Sequence, residues 1–180
     1  LPFNVAGGSG SYIGIQDEME TEFRPGSMIT LPLCGGDIAL TVAGTVTEVR
    51  EDEIYAFGHM FQGQGPLELP MGPGYVHSVI PNMSSSFKLA SAGPAVGSIV
   101  LDQQSGVYGV VGRNAKTIPM EITVEHFADS EVRVYDCEVA NHLRLTPLLV
   151  NIALTASATL KAELPHEHTI EYAGEIAIKG

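Results

Sequence analysis

The side chain best suited to chemistry in this chain is His59, which follows the apolar run Ile54-Tyr55-Ala56-Phe57 and Gly58. A residue without Cβ permits a sharp change of direction, so the histidine is expected at a strand end. Imidazole titrates nearest neutrality and suits general-base work when a nucleophile and an orienting group converge on it. The competing account is an ordinary packed, hydrogen-bonded histidine. Candidate hydroxyls are Ser9 and Ser11, in a Gly/Ser-rich opening that also reads as a linker, and Ser84-Ser85-Ser86 after Pro81-Asn82. Serines in such a turn commonly satisfy backbone groups, and the run lacks the tight Gly-x-Ser-Gly bend that builds an oxyanion hole. His166 and His168 flank Glu167. In an extended segment they share one face and could chelate a divalent ion if His126 or His142 came near, whereas surface histidines in a turn explain the same pattern.

The elements that must position His59 are strands. Residues 38–50 and 53–58 are β-type and flank the acidic turn Glu51-Asp52-Glu53, and Met28 to Leu33 is equally rich in apolar and branched residues after the turn signal Pro25-Gly26. Gly63, Gly65, Pro66, Pro70, Gly72, Pro73 and Gly74 predict a loop over 63–74 beside His59. Tyr75 to Ile80, Phe87 to Ala90, Ala95 to Leu101 and Gly106 to Val111 read as short strands at the spacing of a barrel or sandwich. Ile118 to Phe127 and Glu131 to Val139 alternate around the turn Ala128-Asp129-Ser130. One helix is expected from Thr146 as N-cap and Pro147 at the first helical position to about Lys161, and Thr169 to Lys179 is again strand-like. The expected division is a linker or ordered arm over 1–24, a β domain over 25–145, and a helix with a terminal strand over 146–180.

A family resemblance rests on Pro25-Gly26-Ser27, Gly36-Asp37, Gly44-Thr45-Val46-Thr47, Ala56-Phe57-Gly58-His59, Ser86-Phe87-Lys88-Leu89, Val96-Gly97-Ser98-Ile99 with Asp102, and Gly106-Val107-Tyr108-Gly109. In this order they resemble the peptidase domain of the stage IV sporulation protein B family of serine peptidases, over about residues 25–125. The resemblance implies a chymotrypsin-like barrel or part of a two-barrel arrangement, with His59 as general base. Asp102 stands where the family carries an aspartate, so it is a candidate orienting carboxylate for His59, turn capping being the other reading. The Gly-Met-Ser-Gly-Ser-Pro element that carries the family's nucleophile is absent from these residues.

Composition narrows the partners. A net charge of −12 with nine Lys+Arg excludes a phosphate-neutralising surface, hence nucleic acid, and disfavours anionic membranes. Hydrophobic residues at 44% against 17% charged fit a folded chain. No membrane-spanning run and no phosphate-binding glycine pattern occur, and no cofactor is expected. Opening at Leu1, the chain reads as a mature or excised piece. Cys34 and Cys137 either pair in an oxidising compartment or stay as buried thiols. The low Lys content, the many Gly and Thr and the resemblance lean towards an extracytoplasmic or secreted location. The resulting expectation is an all-β antiparallel barrel with one helix near the C-terminus, a serine-peptidase-type domain that contributes His59 and acts on a polypeptide but is inactive alone. The alternative is a non-catalytic structural or interaction module that associates through strand edges, as a homo-oligomer or with a partner chain.

Overall fold

A computed structural model describes residues 22–80, 87–126, 131–159 and 166–177. The strands are β1 (Met28–Gly36), β2 (Leu40–Arg50), β3 (Glu53–Ala56), β4 (Gly65–Ile80), β5 (Phe87–Ala92), β6 (Gly97–Gln103), β7 (Gly106–Val111), β8 (Thr117–His126) and β9 (Glu131–Ala140), followed by helix α1 (Leu145–Thr159). Strands run β5-β4-β6-β7-β3-β2-β1-β9-β8, and an additional β4–β1 pairing closes six of them, β1-β2-β3-β7-β6-β4, into an antiparallel barrel. The expected all-β barrel with one late helix is therefore what the chain forms.

β1 is the strand that the others share. It pairs with β2 through Met28 to Cys34, with β4 through Met28 to Thr30, and with β9 through Cys34 to Gly36. Its continuous apolar run suits burial on both faces. Ile29, Leu31 and Leu33 join Val46, Ile54, Leu69, Met71, Ile99 and Val107 in the core. The one polar side chain in the middle of β1, Thr30, is fully buried and donates to the carbonyls of Gly72 and Pro73 at 3.0 and 2.9 Å. A buried hydroxyl is tolerated when it is satisfied in this way.

The expected loop over 63–74 is instead mostly strand, because β4 starts at Gly65. Its glycines and prolines mark a strand that changes partner. Gly65 to Met71 pairs with β6, Gly72 to Gly74 with β1, and Gly74 to Ile80 with β5, with register shifts between Pro66 and Leu69 and between Val76 and Ser78. Proline is tolerated at bulges and wherever its missing N–H is not called on by the ladder, and glycine at a barrel corner lets backbones approach. A Cβ on Gly74 would lie 2.7 Å from Thr30 Cγ2 and 2.9 Å from Met28 Sδ.

The β8–β9 hairpin extends from the barrel along β1, and α1 packs on β9, β8 and β1. Its turn residues Ala128-Asp129-Ser130 lie outside the described residues. Leu145, Leu149, Ala153 and Ser157 form the buried stripe of α1, whereas Leu148 is half exposed. The expected cap needs correction, because α1 begins at Leu145 and His142 Nδ1 accepts the N–H groups of Arg144 and Leu145 at 3.3 and 3.2 Å. Thr146 lies inside the first turn, where its hydroxyl accepts from His142 N–H and donates to Ala140 C=O, each at 2.8 Å. Pro147 shares that turn, where N–H groups lack helical partners in any case. Replacing His142 with alanine is expected to cost about 1 kcal/mol, seen as a lower urea midpoint at unchanged slope.

The terminal strand expected over 169–179 does not form within the described part. Residues 168–177 carry no strand pairing and are exposed, with Tyr172 at 59% and Ile176 at 86%. Alternation makes a strand only where an edge accepts it, and among the described residues no edge pairs with this segment. Among the described residues, no helix is long and apolar enough to cross a membrane.

Candidate functional site

His59 sits on the short connection between β3 and β4. β3 ends at Ala56, and Phe57 and Gly58 both take left-handed conformations at φ +75 and +71. A left-handed non-glycine residue must be held by its surroundings. Phe57 is held by its own N–H, which donates to Thr45 C=O at 2.9 Å, and by its ring, which lies against Gly44 where any Cβ would collide. The ring also meets Phe61 edge-on, with centroids 6.3 Å apart, and Phe61 is buried in the core. The sharp turn thus lifts His59 out of the barrel while its neighbours anchor it.

The ring of His59 is exposed and lies 5.8 Å, centroid to centroid, from that of Phe57. Nδ1 is 2.8 Å from the Met60 carbonyl oxygen. A carbonyl only accepts, so Nδ1 carries the proton and Nε2 of the neutral ring presents its lone pair. Nε2 has no hydrogen-bond partner among the described residues. A histidine general base needs this arrangement, with one nitrogen held and the other open.

Asp102 is drawn into the same connection by a different route. It is 1% exposed, faces Gly65 across the β4–β6 ladder, and accepts the backbone N–H groups of Phe61, Gln62 and Gly63 at 2.8, 2.6 and 2.7 Å. Charge-assisted bonds to three successive amides make it a cap for the turn that follows His59. No hydrogen bond or ion pair joins it to His59, whose orienting partner is the Met60 carbonyl.

Ser9, Ser11 and Ser84 to Ser86 lie outside the described residues. One serine–histidine contact arises that sequence reasoning missed: His77 Nε2 lies 2.7 Å from Ser91 Oγ. His77 occupies the register shift between β4 and β5, where Tyr75 faces Ser91 and Val76 faces Ala90, and its ring meets Tyr75 edge-on at 5.0 Å. Only the pairing of these strands brings the two side chains together, so no local signal could have found them. No orienting group on His77 Nδ1 accompanies the contact among the described residues, so it is a cross-strand pair rather than a triad.

The histidines weighed as metal ligands are scattered. His166 and His168 lie in the exposed terminal segment, His142 caps α1, and His126 ends β8. Among the described residues no group of three or more His, Cys, Asp or Glu stands close enough to hold a metal ion. No protein-family model, curated protein or solved structure matches this chain.

Proposed function

We propose that this chain is the histidine-bearing part of an extracytoplasmic serine-peptidase-type domain acting on polypeptides. The observation that carries the reading is His59, exposed beyond the end of a barrel strand with Nδ1 committed to the Met60 carbonyl and Nε2 open. The ordered segments resembling the stage IV sporulation protein B family, running from Pro25 to Gly109, support it, as does the closed antiparallel barrel. In this reading Nε2 takes the proton of a serine supplied by a segment outside these 180 residues. The serine oxygen attacks the scissile carbonyl carbon, and the imidazolium then returns the proton to the leaving amine. Asp102 acts on this chemistry only by fixing the turn that carries His59.

One observation favours the alternative, a non-catalytic module of an extracytoplasmic assembly: no carboxylate reaches His59 among the described residues, Asp102 being spent on backbone amides. The module would associate through the outer edges of β5 and β8, as a homo-oligomer or with a partner chain.

Fluorophosphonate labelling tests the reading. The 180-residue chain alone is expected to take no label at Ser9, Ser11, Ser84 to Ser86 or Ser91 and to cleave no peptide. Labelling at any of them would place the nucleophile within these residues and sink the half-site proposal. Supplied with a serine-bearing segment, in cis or in trans, the chain should label in a His59-dependent manner.

A further inference from the structure

Cys34 and Cys137 are 2% and 4% exposed on neighbouring strands. In the β1–β9 ladder Cys34 faces Val139 and Gly36 faces Cys137, which sets the two cysteines diagonally on one face. The strands are drawn close at this point. Gly36 has φ +95 and a Cβ there would collide with the Asp136 carbonyl, so only glycine fits. Asp37 N–H donates to Asp136 C=O, and Asp136 N–H donates to the Asp37 carboxylate, each at 2.9 Å. The Ile38 carbonyl accepts from Cys34 Sγ at 3.0 Å. Both cysteines are free and buried. Burial, and then the neighbouring Cys137, push the Cys34 thiol up to about 11, and burial also raises Cys137. In the folded, reduced chain both are therefore protonated and unreactive.

We infer that Cys34 and Cys137 form an intramolecular disulfide when the chain folds in the presence of an oxidant disulfide, stapling the β8–β9 hairpin and α1 to the barrel. The inference is independent of the peptidase reading. One cysteine thiolate attacks a small-molecule or protein disulfide, forming a mixed disulfide and releasing one reduced thiol. The other cysteine thiolate then attacks the chain's own sulfur in that bond and releases the second. Two thiol protons leave, two electrons pass to the oxidant, and a single S–S bond remains in the protein. Because both sulfurs are buried once β9 lies on β1, the exchange belongs to the folding chain rather than to the finished fold.

The test is to refold the reduced, denatured chain in a glutathione redox buffer and, separately, with excess reductant. The expected product of the first is a monomer lighter by two hydrogens, with a Cys34–Cys137 peptide in a non-reducing digest. Closing so long a loop should raise its thermal midpoint by about 10 °C over the reduced form. A folded monomer that keeps two thiols, carries glutathione adducts, or links to a second copy overturns the inference. The midpoint difference should vanish in the Cys34→Ala/Cys137→Ala double variant. If that variant does not fold, the intact mass and peptide map of the unaltered chain still decide.

Discussion

Replacing His59 with alanine is expected to lower peptide hydrolysis by the serine-complemented domain about a million-fold, because members of a nucleophile–base pair act as a unit. The same substitution should move the thermal midpoint by no more than about 2 °C. Among the described residues, one local hydrogen bond, to the adjacent Met60 carbonyl, and a tilted contact with Phe57 are lost from an exposed position, and surface changes of this kind stay within about 0.5 kcal/mol. The measurements are kcat/KM on a peptide substrate and a thermal melt on the same preparation. Unchanged hydrolysis removes the general-base role. A large fall in midpoint shows that the histidine is a packing residue after all.

Replacing Asp102 with alanine should have the opposite profile. The substitution leaves the N–H groups of Phe61, Gln62 and Gly63 without their shared acceptor next to a core residue. At the usual cost of losing charge-assisted bonds and stranding donors, the expected destabilisation is about 3–5 kcal/mol, read as a shift of the urea midpoint. Asparagine keeps one acceptor oxygen but turns an amide N–H₂ towards a backbone donor, so it should fall between aspartate and alanine. An orienting carboxylate would instead lose turnover at constant stability. The two variants therefore separate a residue that shapes the turn from one that takes part in proton transfer.

Much of the barrel was legible in the chain because its signals are local. The alternation of β8 and β9, the acidic β2–β3 turn with Glu51 at φ +56, and the Pro25-Gly26 turn all follow from neighbouring residues. Gly58 likewise announced that His59 would leave the strand. β4 was misread because glycine and proline, which usually interrupt strands, here allow one strand to change partner at a barrel corner. The partner of Asp102 was invisible for another reason: which amides its carboxylate meets depends on the β4–β6 register, and that is settled only when distant segments pair. The pairing of His77 with Ser91 is non-local in the same sense. The capping role of His142 was hidden because Thr146-Pro147 is the stronger local start signal, and a ring nitrogen a few residues upstream took the donors first.

The sharing of β1 among three partners also sets a timetable for synthesis. Among the described elements β1 is made first, and the strands that complete it, β4 and β9, are made later. At ordinary translation speeds β9 trails β1 by on the order of ten seconds, long compared with the time in which a hairpin forms. Until β4 emerges this nearly unbroken apolar strand pairs at most with β2, and its Cys34–Gly36 edge stays open to any neighbouring nascent chain until β9 follows. Crowded expression should therefore trap this protein in aggregates before it reaches its native state, and slower initiation or a chaperone that covers the emerging Met28–Gly36 segment should raise the folded yield more than added thermodynamic stability would.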